Sequence, residues 1–123
     1  MTLSELQQKV YDARGLPNEL ADLHIQLACI FSKHSEEMME IQLKKAEFWQ
    51  IKDYQREVDR EMNAVWEAKR EKPLSDKQVE MMWLQTKEGK KEIKLKYTLK
   101  SLEKLMSSVK SALVNATIEA RNI

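Results

Sequence analysis

The clearest hydrophobic pattern in the chain runs from Leu95 to Ala120. Apolar residues recur there at alternating spacings of four and three, and most other positions are Lys, Ser, Glu, Thr or Asn. The eight apolar positions are Leu95, Leu99, Leu102, Met106, Val109, Leu113, Ala116 and Ala120. Such a heptad stripe predicts a long helix with one narrow apolar edge, which must pack against another helix to leave water.

Two more helices are predicted before this stripe. Thr2 and Glu5 have the spacing of a capping box and Gly15 is a stop signal, so residues 3–14 should form a short helix. Pro17 is well placed to begin the next helix, and no further Gly or Pro occurs before Pro73. The later half of this segment narrows to one apolar stripe of Met38, Ile41, Phe48, Ile51, Tyr54 and Val58, with Lys44 and Lys45 beside it. The pattern leaves open whether residues 17–72 form one helix or two.

The C-terminal part begins with a helix-breaking proline. After Pro73, Ser75 and Gln78 form a second capping box that begins a short helical piece. Thr86 is a candidate N-cap for the last helix, and Gly89 lies in its first turn. A break or kink is therefore expected between residues 85 and 90.

The two long arms, 17–72 and 75–122, are joined by a short connection. A short connection favours an antiparallel arrangement. With the fold axis near residues 73–74, residue numbers that add to about 147 should face each other, so that Ala116 lies opposite Phe31. The expected fold is a single all-α domain over residues 1–123, an elongated antiparallel helical hairpin with a short N-terminal helix.

A two-helix hairpin buries little surface per residue. Ile25, Val114 and Ile118 lie off the main stripe. We expect part of this surface to meet a second copy, most simply as a dimer, and to assemble an oligomeric helical bundle. The alternative is that the short helix and the tip of the hairpin cover these residues within one chain.

The composition and charge narrow the class of protein. The 123 residues include 21 basic and 20 acidic residues, so the net charge of +1 indicates no overall attraction to nucleic acid or anionic lipid. No segment is apolar enough to span a membrane and the N-terminus lacks the apolar run of a signal peptide, which favours a cytoplasmic protein. Cys29 is the single cysteine and stands in an apolar run, where a buried, reduced thiol is expected.

One local concentration of charge stands out against the balanced total. Residues 87–104 contain seven lysines and only three glutamates. The lysines are Lys87, Lys90, Lys91, Lys94, Lys96, Lys100 and Lys104. We call these seven residues the lysine face. Clustered ammonium groups of this kind bind phosphates by releasing counterions, which predicts nucleic-acid binding. The alternative is a solvated face, or one neutralised within the chain by Glu57, Asp59 and Glu61.

A second candidate surface is the tip of the hairpin. It combines methionines with tryptophans: Met62, Trp66, Met81, Met82 and Trp83. Surfaces rich in methionine and aromatic residues suit adaptable binding of a partner protein. The alternative is that these residues form a small satellite core that closes the hairpin.

The carboxylates next to His34 do not complete a metal site. Glu37 and Glu40 match the first acidic pair of helical nucleotide pyrophosphatases, which hold divalent cations with two such pairs. The second pair is missing, because Glu57 and Asp59 are two residues apart and therefore lie on different faces of a helix. His34 is interpreted as a histidine beside the packed stripe, partnered by a neighbouring Glu or Ser.

No nucleophilic site is indicated either. Cys29 and His24 are five residues apart on different helix faces, and no glycine loop could form an oxyanion hole. Gly15 and Gly89 are solitary, so no phosphate-binding loop is present. We therefore expect no catalytic residues, no metal and no cofactor, and we predict that the protein is not an enzyme.

Parts of the sequence resemble small helical proteins that are frequent in bacteriophage genomes. The similarity rests on the run TKEGKKEIKLKYTLKSLEKLMSSVKSAL, the ending EARN and the segment KKAEFW. The resemblance implies a phage or prophage origin, among early genes for DNA metabolism or host takeover. It carries no functional residues that can be transferred to this chain.

Taken together, these patterns favour a non-enzymatic helical interaction or assembly protein that acts by binding a partner protein. The alternative is a nucleic-acid-binding accessory protein that uses the lysine face.

Overall fold

The computed structural model describes residues 1–66 and 73–121, with the backbone alone at 63–66 and 120. The elements in these residues are the helices α1 (Leu3–Asp12), α2 (Pro17–Trp66), α3 (Asp76–Gln85) and α4 (Lys87–Arg121). The long helices α2 and α4 pack against each other. The prediction of an all-α helical hairpin with a short N-terminal helix is therefore confirmed, and residues 17–66 form one helix.

The predicted helix boundaries rest on local signals that the structure contains. Thr2 Oγ1 accepts a hydrogen bond from the Glu5 amide at 3.2 Å, and the Glu5 carboxylate accepts one from the Thr2 amide at 3.3 Å. Ser75 and Gln78 form the second capping box in the same way. Gly15 has a φ of 78°, a left-handed conformation that glycine adopts without a Cβ penalty, and it turns the chain from α1 into α2. Both capping boxes are confirmed.

Contacts divide the chain into two compact units. Unit 1 comprises Met1–Glu37 and Lys94–Ile123. Its core is built from α1, the first part of α2 and most of α4, and contains Leu6, Ala13, Leu20, Leu23, Leu27, Leu102, Val109 and Ala116. The heptad stripe supplies the α4 side of this core, since every one of its described side chains from Leu95 to Ala116 is buried or half-buried. Each fully buried leucine contributes about 1.5–3 kcal/mol relative to an exposed one.

Unit 2 comprises Met38–Ile93 and contains the later part of α2, all of α3 and the beginning of α4. Ile41, Val79 and Trp83 are its buried apolar residues. The Trp83 ring packs on Phe48 with 5.5 Å between the ring centroids. These contacts place α3 alongside α2.

The predicted break between residues 85 and 90 is a tight corner at Thr86. The Thr86 amide donates to the carbonyl of Trp83 at 3.0 Å, and Thr86 Oγ1 accepts from the Gly89 amide at 3.0 Å. Thr86 therefore ends α3 and caps α4. Gly89 is buried against the end of α3, where an added Cβ would lie 2.7 Å from the carbonyl carbon of Trp83. The glycine permits this close approach of two backbones.

The predicted register between the arms is wrong by about ten residues. In unit 2, Lys45 is ion-paired with Glu92. The predicted axis at residues 73–74 would instead place residue 102 opposite Lys45. In unit 1, Phe31 lines one surface depression with Met106 and Ser107, where the prediction placed Ala116. A proline ends a helix, but it does not have to stand at the midpoint of the connection, and the predicted axis depended on Pro73 alone.

Within the residues that the structure describes, no helix is both long and apolar enough to cross a membrane.

Candidate interaction surfaces

Lys45 of α2 joins α3 and α4 within unit 2. Its Nζ lies 3.0 Å from Glu80 Oε1 on α3 and 3.4 Å from Glu92 Oε1 on α4. The indole N–H of Trp83 donates to the other oxygen of Glu92 at 3.0 Å. Partial burial lowers the pKa of Lys45, but the hydrogen bond to Glu80 and the charge of Glu92 outweigh this effect, so the pKa is raised above its usual value.

Arg56 forms a second anchor on the same face of α2, because it follows Lys45 by about three helical turns. Its Nη1 donates to Asp76 Oδ1 at 2.6 Å and to the carbonyl of Leu74 at 3.3 Å. Its Nη2 is ion-paired with Asp53. Hydrogen bonds to Asp76 and Asp53 raise the pKa of Arg56. The inward face of α2 in unit 2 thus carries two cations that reach α3.

These cations explain why part of the predicted apolar stripe is wrong. Ile41 and Phe48 lie on the inward face as predicted, but Ile51, Tyr54 and Val58 are exposed. The ion pairs of Lys45 and Arg56 point their side of α2 toward α3, which leaves the side that carries Ile51, Tyr54 and Val58 exposed. A paired, hydrogen-bonded cation can take an inward position because its partners replace the lost water.

Exposed apolar residues form an interrupted stripe on the solvent side of α2, in which Glu47 stands between Leu43 and Ile51. Its members are Met39, Leu43, Ile51, Tyr54 and Val58, and we call these five residues the docking stripe. Met39, Leu43, Ile51 and Tyr54 are at least 60% exposed. Singly scattered apolar residues are normal on a protein surface, but these share one helix face over about 29 Å. Large apolar side chains that are exposed together on one helix face indicate a binding surface.

The docking stripe is interspersed with negative charge. At 100° per residue, Glu40, Glu47, Glu57 and Glu61 fall in the same arc of about 120° as the stripe, and all four are exposed. No lysine or arginine falls within that arc, and Lys44 stands at its edge. The surface therefore mixes exposed apolar and acidic side chains on one helix face, a pattern that suits a basic amphipathic helix.

Every member of the lysine face is exposed. Lys87, Lys90 and Lys91 belong to unit 2, whereas the other four belong to unit 1. Among the described residues, none of the seven is ion-paired. In unit 1, Tyr97 is 69% exposed and shares a helix face with Lys94, Lys100 and Lys104 through spacings of three and four.

The acids that were expected to neutralise the lysine face lie elsewhere on unit 2. Arg56 is paired with Asp76, the first residue of α3, so residues 57–61 lie beyond that end of α3. Lys45 is paired with Glu92, which places the beginning of α4 about three turns of α2 away from Arg56. In the structure, the carboxylates of residues 57–61 therefore do not neutralise the lysines at the beginning of α4, which are Lys87, Lys90 and Lys91.

The residues proposed for the tip separate into different environments. Trp83 is 2% exposed, packed on Phe48 and hydrogen-bonded to Glu92, so it is an interior residue and drops out of the candidate interface. Met62 and Met82 are half-buried and Met81 is exposed. The side chain of Trp66 lies outside the described residues. For Trp83, the structure agrees with the alternative of a satellite core.

Two expectations about unit 1 are corrected by the exposure of its side chains. Cys29 is exposed and not buried, because it falls on the solvent side of α2, away from Leu20, Leu23 and Leu27. Ile25, Val114 and Ile118 are each at least half exposed, so neither α1 nor the tip covers them within the chain. The alternative of an intramolecular cover is therefore wrong for these three residues, and the prediction of a second copy stays a prediction.

The structure also locates the carboxylates considered for metal binding. His34 Nδ1 lies 4.0 Å from Glu37 Oε1, and this nitrogen has no hydrogen-bond partner in the described residues. The described residues contain no group of three or more His, Cys, Asp or Glu side chains arranged to hold a metal ion.

Comparisons with known proteins found no matching family model, curated protein or solved structure.

Proposed function

We propose that the protein is a non-enzymatic interaction protein that binds a basic amphipathic helix of a partner protein on its docking stripe. One observation carries this proposal: large apolar side chains lie exposed along one face of α2, with four glutamates among them on the same face. Burying a leucine or isoleucine contributes about 1.5–3 kcal/mol, which supplies affinity. The glutamates add orientation and select for a positively charged partner.

The docking stripe is presented on a rigid support. Lys45 and Arg56 tie the inward face of α2 to α3, and Glu92 ties α4 to the same lysine. A helix that is held in this way does not have to fold when its partner arrives, so it avoids the entropic cost of ordering at the interface.

A peptide titration tests the proposal. The probe is a fluorescein-labelled helical peptide with leucine at its heptad a and d positions and lysine elsewhere, and the readout is fluorescence anisotropy. We expect saturable binding to the wild-type chain, weakened tenfold or more by the double substitution Leu43→Ser and Ile51→Ser. The matched control is Met81→Ser, which removes an exposed apolar residue outside the docking stripe and should leave the affinity unchanged.

Two outcomes would contradict the proposed function. One is the absence of binding by the lysine peptide at any concentration of the wild-type chain. The other is equal binding of a peptide in which glutamate replaces every lysine, because an acidic peptide would be repelled by the glutamates beside the docking stripe.

A second candidate function is the binding of a polyanion such as single-stranded or duplex DNA by the lysine face. It is favoured by the exposure of all seven lysines and by their lack of ion pairs among the described residues. A mobility-shift titration over increasing salt tests it, since phosphate contacts made by lysine weaken steeply with salt. An unshifted DNA band at low salt would reject this function.

A further inference from the structure

The two charged surfaces of this chain are complementary to each other. The docking stripe lies on α2 in unit 2 and shares its arc with Glu40, Glu47, Glu57 and Glu61. The unit 1 part of the lysine face lies on α4 and surrounds the exposed ring of Tyr97. One surface mixes apolar and acidic side chains, and the other presents an aromatic ring with lysines around it.

We infer that the occupant of the docking stripe is a second copy of this chain, which presents Lys94, Tyr97, Lys100 and Lys104. The inference rests on the proposed function and names its partner. Tyr97 would lie on the apolar residues of the stripe, and the ammonium groups would reach the glutamates among them. Clusters of opposite charge speed the encounter and fix the orientation of the two chains.

A stripe-to-stripe contact is less favourable for this sequence. An antiparallel pairing centred between Leu43 and Tyr54 brings Glu40 of each chain toward Glu57 of the other, and a parallel pairing places each glutamate beside its own copy. Like charges that face each other across an interface cost affinity. The lysine face is the surface of opposite sign that every copy carries.

A contact between two different surfaces is heterologous, so it does not close by two-fold symmetry. Each chain that has filled its docking stripe still offers its lysine face, and each new contact leaves one surface of each kind free. Such contacts form a ring where the rotation closes and an open filament where it does not. The dimer is then the first step of assembly and not its end.

Two complementary variants test the inference in the full-length chain by sedimentation velocity. The first variant carries Lys94→Glu, Lys100→Glu and Lys104→Glu and keeps its docking stripe. The second carries Leu43→Ser, Ile51→Ser and Tyr54→Ser and keeps its lysine face. We expect the wild-type mass to rise beyond a dimer with concentration and to fall with salt. Each variant alone should be a monomer, and an equimolar mixture should form dimers and nothing larger.

Controls separate a lost contact from a lost fold. All substituted residues are exposed, so helical circular dichroism and the unfolding midpoint should match those of the wild type. Lys110→Glu, an exposed lysine of α4 outside the lysine face, should leave assembly intact. A stripe variant with Glu40→Lys, Glu47→Lys and Glu57→Lys should be a monomer alone and should assemble beyond dimers with the first variant, because each surface of one variant then meets a surface of opposite charge on the other.

The inference is overturned if the wild-type chain stays a monomer, if the first variant assembles as the wild type does, or if the equimolar mixture stays monomeric. A monomeric wild type that still binds the lysine peptide would retain the proposed function and reject only the second copy as its partner. A wild-type chain that neither assembles nor binds the lysine peptide would reject the proposed function as well.

Discussion

Trp83 and Glu92 are joined by a hydrogen bond of 3.0 Å from the indole Nε1 to a carboxylate oxygen. Trp83 belongs to α3 and Glu92 to α4, and the other carboxylate oxygen of Glu92 faces Lys45 of α2. The carboxylate of Glu92 therefore links its own helix, α4, to both α2 and α3. This junction fixes which side of α2 faces α3 and which side is left exposed to solvent.

Replacing Glu92 with alanine should destabilise the chain. The change leaves the buried indole N–H of Trp83 without its acceptor and removes one of the two partners of Lys45, at a cost of about 1–3 kcal/mol in the free energy of unfolding. Urea unfolding followed by circular dichroism measures this loss. Glu103→Ala, an exposed carboxylate of the same helix, should change stability by no more than about 0.5 kcal/mol. Equal effects of the two substitutions would contradict this role of Glu92.

Gly89→Ala should also destabilise the chain, against the usual trend. In an ordinary helix interior, alanine is more favourable than glycine by about 0.8–1 kcal/mol. At Gly89 the added methyl would lie 2.7 Å from the carbonyl carbon of Trp83, which forces the corner at Thr86 to open. The expected sign in urea unfolding is therefore a loss of stability, and a gain would show that α3 and α4 do not meet as described.

The raised pKa of Lys45 sets the pH range in which its ion pairs stabilise the fold. A group whose pKa rises on folding contributes fully below its unfolded pKa, about 10.5, and loses the contribution as the pH rises through the higher folded value. The stability difference between the wild type and Lys45→Met should be constant between about pH 7 and pH 9 and shrink above about 10.5. Urea unfolding across this range checks it, and a difference that disappears by about pH 9 would contradict the assignment.

Cys29 should react with a thiol reagent in the folded chain. It is exposed on α2, so 5,5′-dithiobis(2-nitrobenzoic acid) should label it in native buffer within a small factor of the rate measured in concentrated urea. A buried cysteine would react only after unfolding. If labelling requires urea, Cys29 is buried, as the apolar run around residue 29 predicted.

Much of the fold follows from local sequence signals. The capping boxes at Thr2 and Ser75, the turn at Gly15 and the cap at Thr86 each depend on a few neighbouring residues, and the structure contains all four. The heptad stripe of α4 was identified because its positions are apolar without exception. Signals of this kind are complete within a short stretch of sequence.

The candidate surfaces were harder to predict because they depend on pairings between distant residues. Nothing near Lys45 in the sequence indicates that Glu80 and Glu92 will lie beside it, so the apolar pattern placed Ile51 and Tyr54 inward. The lysine face could be predicted from the sequence alone, since its members are close together in the chain. The docking stripe could have been found only by asking which face of α2 the cations Lys45 and Arg56 would occupy.

The docking stripe requires that Ile51 and Tyr54 lie on the surface of the folded chain and not in its interior. The free energy of unfolding of the Ile51→Ser, Tyr54→Ser double variant tests it most directly, measured in urea at a concentration where the chain is monomeric. We expect the double substitution to change the free energy of unfolding by no more than about 1 kcal/mol. Phe48→Ala, on the inward face, should lower it by about 3 kcal/mol or more. A loss of more than about 3 kcal/mol in the double variant would place both residues in the packed stripe and leave no docking stripe on α2.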